Sequence, residues 1–134
     1  MPVLKHDSMT IRSETDVVLV RQAVRKWVGE LGFSLVDSTK IVTAASELAR
    51  NTLIHGGGGT VRLEALAEGA RKGLRLIFED QGPGIPDIAL ALKDGYTTGT
   101  GLGLGLSGSK RLVNEFDIWS KQGEGTRVTV TRWT

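Results

Sequence analysis

Thr60-Val61-Arg62-Leu63-Glu64-Ala65-Leu66 is followed by Glu68-Gly69-Ala70-Arg71-Lys72-Gly73 and then by Leu74-Arg75-Leu76-Ile77-Phe78-Glu79. The first stretch alternates apolar and polar residues with the two-residue period of a half-buried strand. The last reads as a second strand, and the glycine-bearing segment between them is turn chemistry. Together they predict a β-hairpin with a slightly long loop. Two strands in succession, with no helix between them, already argue against strict βαβ alternation. Upstream, Met9-Thr10-Ile11-Arg12-Ser13 reads as a short strand. Ser13 stands three residues before Asp16 as a capping-box variant. Val17, Val20, Val24, Trp27 and Leu31 then recur at helical spacing up to Gly32, which predicts a helix over 14–31. Asp37 opens a second predicted helix with Ile41, Ala44, Ala45, Leu48 and Thr52 on its apolar side, and the glycines after His55 end it.

Downstream, Gln81 to Pro86 is a Gly/Pro turn, 88–92 a short helix and 94–105 a glycine-rich loop. A helix over 107–115, a strand at Ile118-Trp119-Ser120, a turn at 122–125 and a strand over 126–133 complete the chain. The predicted order is β-α-α-β-β-α-α-β-β. Helices in two blocks between strand pairs favour an α+β fold: a two-layer α/β sandwich, one mixed sheet with helices on one face. At 134 residues the chain is one domain's worth, spanning 1–134.

Composition excludes several functions. Cysteine is absent, so there are no disulfides, thiolate metal sites or cysteine nucleophiles. Net charge is +2 with both signs interspersed, and the basic pairs Arg71-Lys72 and Lys110-Arg111 are short. Nucleic-acid binding needs a clustered basic face, and none is visible. Aromatics make up 5%, too few for base-stacking platforms. No apolar run approaches the ~18–20 residues of a membrane helix. Met1 to Asp7 has no apolar stretch of a secretory signal, so a cytoplasmic protein is expected. Glycine is the outlier at 18 residues, eight of them between Gly82 and Gly108 and four in the run Gly56 to Gly59. Glycine weakens element interiors, so this concentration asks for a reason, such as close approach of backbone to a ligand.

Four patterns could carry chemistry. Glu47 and Asn51 lie one helical turn apart on nearly one face, where a carboxylate and an amide oxygen can hold a hard cation. His55, against the glycine run, suits a helix C-terminus. In Asp80-Gln81-Gly82-Pro83-Gly84-Ile85, alternation puts Asp80 on the same face as Leu74, Leu76 and Phe78. A carboxylate ending an apolar row is costly unless something donates to it, and an adenine amino group is a good donor. Gly82 and Gly84 would let backbone approach a flat base. Gly99-Thr100-Gly101-Leu102-Gly103-Leu104-Gly105 leads into a helix, where backbone N–H groups favour phosphate. Gly103 to Gly108 matches G-x-G-x-x-G by letter, but no strand precedes it and no acid sits suitably after it, so the dinucleotide reading fails. Finally, in Gly123-Glu124-Gly125-Thr126, Thr126 shares its face with Val128 and Val130 and ends that row as Asp80 ends the other.

Taken singly, each pattern has an ordinary structural explanation: a solvated helix face, an Asx turn, a linker, a hairpin. Taken in order, they resemble the four boxes of the GHKL ATPase superfamily, which includes histidine kinases, DNA gyrase B, heat-shock chaperone ATPases and mismatch-repair ATPases. Glu47-Leu48-Ala49-Arg50-Asn51, Glu79 to Asp87, Asp94-Gly95-Tyr96 and Lys110-Arg111-Leu112 narrow the resemblance to bacterial serine kinases of partner-switching pathways, the stressosome switch kinases in particular. It covers nearly the whole chain.

The resemblance implies the Bergerat fold, ATP and Mg2+. It makes Glu47 the general base and Asn51 the magnesium ligand. Asp80 becomes the adenine reader, flanked by Gly82, Gly84 and Ile85, and Thr126 completes the adenine contact. Gly99, Gly101, Gly103 and Gly105 become the ATP lid, with Lys110 as a candidate phosphate cation. It implies phosphorylation of a STAS-domain protein and, on release, activation of a PP2C-type phosphatase. An anti-sigma factor that sequesters a sigma subunit shares the same boxes. A histidine kinase is disfavoured for want of a dimerisation helix carrying a phosphorylatable histidine, and a gyrase-type clamp for want of a transducer domain.

Overall fold

The structure is a computed structural model that describes residues 2–93 and 105–134. The elements are β1 (Val3–Ile11), α1 (Glu14–Glu30), α2 (Leu35–Ile54), β2 (Gly59–Glu68), β3 (Arg71–Asp80), α3 (Ile88–Ala91), α4 (Gly105–Arg111), β4 (Glu115–Lys121) and β5 (Gly125–Trp133). Their order is the predicted one. The strands form one five-stranded sheet in the order β1-β2-β3-β5-β4. The expected mixed sheet is corrected: every neighbouring pair is antiparallel. The crossover from β3 through α3 and α4 does return to a strand running the same way, β4. However, β5 inserts between the two, so β3 and β4 never pair.

Local chemistry accounts for the boundaries. Ser13 caps α1 by accepting the Asp16 N–H, and the Asp16 carboxylate takes the Arg12 N–H in return. α2 starts two residues earlier than expected, because Ser34 is the cap and accepts the Asp37 N–H. The β2–β3 hairpin is tighter than predicted. Glu68 pairs with Arg71, which leaves a two-residue loop, and Gly69 at φ +60° supplies the positive φ that such a turn needs. β1 runs longer than the predicted 9–13, while α4 ends at Arg111 rather than continuing to 115.

One face of the sheet is buried. Ile11, Val61, Leu63, Leu74, Leu76, Phe78, Val128 and Val130 meet Val17, Val20, Val24 and Trp27 of α1 and Ile41, Ala45, Leu48 and Ala49 of α2 in a single core. The other face carries a charged cluster whose members pair with one another. Glu64 is held between Arg62 Nε at 2.9 Å and Arg75 Nε at 2.6 Å. Burial pushes the Glu64 carboxyl up, but the two guanidinium hydrogen bonds outweigh it, so it sits below the ordinary glutamate range.

Candidate functional site

Three neighbouring strands each end an inward-facing apolar row in a polar residue. On β3 the row Leu74, Leu76, Phe78 ends in Asp80, and on β5 the row Val130, Val128 ends in Thr126. On β4 the half-buried row Phe116, Ile118 ends in Ser120. The ladders place these ends side by side, because Asp80 pairs with Thr126 and Thr126 with Ser120. Antiparallel pairing is what brings the last residue of one strand beside an early residue of the next. The predicted Asp80 and Thr126 are therefore direct cross-strand neighbours on the helix-covered side. Sequence reading passed over Ser120, although the same row-end rule picks it out.

The C-terminal end of α2 arrives at the same place. A side chain on Gly56 would overlap the Asp80 carboxylate, and one on Gly82 would press on the Gly56 backbone. Asp80 Oδ1 accepts the Gly82 N–H at 2.9 Å. The turn after β3 is tied to the β4–β5 hairpin as well. Gly123 N–H donates to Pro83 O at 2.8 Å, and Ile85 N–H donates to Ser120 Oγ at 2.7 Å. Gly84 lies between them at φ +78°, where a Cβ would meet the Lys121 carbonyl. In the described residues, then, these close approaches are to the protein itself: Gly56 to the Asp80 side chain, Gly82 and Gly84 to backbone.

Glu47 and Asn51 share the α2 row leading toward this end. The Glu47 side chain is 14% exposed and stands 3.7 Å from Arg50 Nη1. Asn51 is half-buried, and its backbone carbonyl accepts the N–H groups of His55 and Gly56. His55 is the C-cap of the helix, as its place before the glycines suggested. Ile54, the last residue of α2, is seven positions on from Glu47, about 10 Å along the helix. The structure thus brings Asp80, Thr126, Gly82, Gly84 and Ile85 together and aligns Asn51 and Glu47 behind them.

Other predicted residues fall elsewhere. Gly99, Gly101 and Gly103 lie outside the described residues, as does Asp94-Gly95-Tyr96. Gly105 opens α4. Lys110 is exposed in the last turn of α4, beside Arg111 and at the far end from Gly105, where cations complement the helix dipole. Among the described residues, no cluster of three or more His, Asp or Glu side chains could hold a metal by itself. No described helix is long and apolar enough to cross a membrane.

Residues 36–133 match the family of histidine kinase-, DNA gyrase B- and HSP90-like ATPases. The chain belongs to that family. The serine/threonine-protein kinase RsbT of Bacillus subtilis is 49% identical over 92% of this chain and 92% of its own length. An anti-sigma F factor of Clostridium kluyveri is 32% identical over 84% of this chain and 82% of its own. The solved RsbU and RsbW domains of a Mycobacterium tuberculosis protein are similar at 25% identity and TM-score 0.63 over 98% of this chain, which spans 32% of that longer chain. The α+β sandwich is therefore a GHKL fold, and the chain is a homologue of a protein serine/threonine kinase in a partner-switching pathway.

Proposed function

We propose that this chain is a cytoplasmic, single-domain, ATP-dependent protein serine kinase that phosphorylates a STAS-domain protein and, when released, binds and activates a PP2C-type phosphatase. One observation carries the reading. Asp80 and Thr126 pair across β3 and β5 at the end of the sheet to which α2 brings Glu47 and Asn51. A likeness of 49% to a serine/threonine-protein kinase supports it.

The residues fit a bound nucleotide. Asp80 and Thr126 offer oxygens to a purine edge, and the tied turn Gly82 to Ile85 forms a fixed ledge beneath it. The separation of about 10 Å along α2 between Glu47 and Ile54 suits the length of a triphosphate tail. Magnesium usually binds through one or two protein oxygens together with substrate phosphates. Asn51 supplies such an oxygen, and the ion would neutralise phosphate charge. Glu47, mostly buried, would take the proton of the partner's serine hydroxyl as that oxygen bonds to the terminal phosphorus of ATP and the bond from that phosphorus to the bridging oxygen breaks, with ADP as the leaving group. Phosphoryl transfer asks mainly for positioning and charge neutralisation, so this small set suffices. The lid role of Gly99, Gly101, Gly103 and Gly105 and the phosphate role of Lys110 belong to the same reading. Phosphorylation adds about −1.5 to −2 charge to the partner's surface, which drives release.

Incubation with labelled ATP and candidate STAS proteins, followed by mass spectrometry, tests this. Phosphate on one serine of a STAS protein is the expected result. Likeness to anti-sigma F factors favours a second reading, ATP-dependent sequestration of a sigma subunit. A sigma subunit retained on the chain, with a PP2C-type phosphatase ignored, would favour it over phosphatase activation.

A further inference from the structure

Ser120 makes three short contacts from one hydroxyl. Its Oγ accepts the Ile85 N–H at 2.7 Å, reaches Gly125 O at 3.0 Å, and lies 2.9 Å from Thr126 Oγ1. A serine hydroxyl has one hydrogen and two lone pairs. The Gly125 carbonyl can only accept, so the single hydrogen goes there. The Ile85 N–H fills one lone pair. The contact with Thr126 is then satisfied by Thr126 donating into the second. That assignment uses up the Thr126 hydrogen and leaves its oxygen as an acceptor only.

We infer that Ser120 is a positioning residue for nucleotide recognition: it fixes the turn at Ile85 and turns Thr126 into an acceptor beside the Asp80 carboxylate. Two acceptors on paired strands match a group with two hydrogens to give, the exocyclic amino group of adenine. A purine that presents a carbonyl at that position would meet two acceptors and no donor. The inference rests on the proposed ATP site, and it adds that base selection depends on a residue that need not touch the base.

The test compares calorimetric affinities for ATP and for purine riboside triphosphate, which lacks the amino group. Ser120→Ala should weaken ATP binding about tenfold more than it weakens binding of the analogue, so the preference for ATP falls. Ser120→Thr, which keeps the hydroxyl, should restore it. Thr126→Val, which leaves the Ser120 bonds to Ile85 and Gly125 in place, should lower the ATP preference to the same extent and serves if Ser120→Ala does not fold. A purely structural role for Ser120 would weaken both ligands equally, and that outcome, or an unchanged preference in Thr126→Val, overturns the inference. Asp80→Asn separates the two levels. If it binds ATP as the wild type does, the ATP site itself is misassigned. If it binds poorly while Ser120→Ala keeps its preference, only the role of Ser120 fails.

Discussion

Thr126 and Arg132 sit on one strand, on one face, six residues apart, and each is a polar side chain at an end of the same apolar row. Their fates differ. The Arg132 guanidinium donates to the Asp37 carboxylate at the start of α2 and to Leu112 O after α4. It joins three elements and is only 13% exposed. Thr126 meets Ser120 and Asp80, neighbours that are themselves half-buried row ends. One end of the sheet thus spends its polar groups on holding helices together. The other gathers polar groups where the ends of β3, β4 and β5 meet the glycine after α2. A polar residue ending an apolar row does not mark a binding site by itself; its partners decide.

Substitutions should separate the two ends. The largest expected effect is on chemistry. Glu47→Ala should lower phosphoryl transfer by about a hundred- to ten-thousand-fold, the usual range for a general base, with ATP affinity kept. Retained phosphorylation of a cognate partner would refute the assignment. Next is Asp80→Asn, which removes a charge-assisted acceptor. It should weaken ATP binding roughly ten- to a hundredfold by calorimetry while the melting temperature stays within about 2 °C.

Arg132→Ala should do the reverse. It removes the guanidinium bonds to Asp37 and to Leu112 O, so thermal unfolding should shift down by roughly 5–10 °C. KM for ATP, measured well below the transition, should stay within about twofold. A large rise in KM would mean that the two ends are coupled through α2, and the division drawn between them would fail.

The sequence is legible where one principle acts alone. α1 has a cap, a clean apolar stripe and a glycine stop, and its limits agree to within a residue. The start of α2 was hidden because Leu35 and Val36 point outward, 83% and 63% exposed, and so add nothing to the helical pattern. β1 was cut short because Val3 to Ser8 are exposed on both sides and do not alternate. Arg71-Lys72-Gly73 looked like loop, but Gly73 leaves room for the Trp133 ring, a tertiary reason invisible locally. The end of α4 is set from a distance, since Asn114 N–H donates to Thr131 O and Asn114 Oδ1 accepts from Trp133. The site follows the same logic. Asp80 and Thr126 stood out because the apolar rows leading to them, Leu74, Leu76, Phe78 and Val130, Val128, were read whole. Ser120 did not, because β4 was read as three residues and the row through Phe116 was lost.

The smallest effect concerns acid. The Arg132 hydrogen bond, then that with Ser34, holds the Asp37 carboxyl below the ordinary aspartate range. A carboxyl that is more acidic in the folded than in the unfolded chain stabilises the fold fully above its unfolded value, about 3.9. That contribution is lost as pH falls through the lower folded value. Asp37→Asn should therefore melt a few degrees below the wild type at pH 7, and the gap should close as pH falls below about 4. Scanning calorimetry across pH 3 to 7 reads this directly. A gap that stays constant over the range would mean that the tie between Arg132 and α2 does not depend on the Asp37 charge. The stability of that end would then rest on the Leu112 carbonyl and on packing.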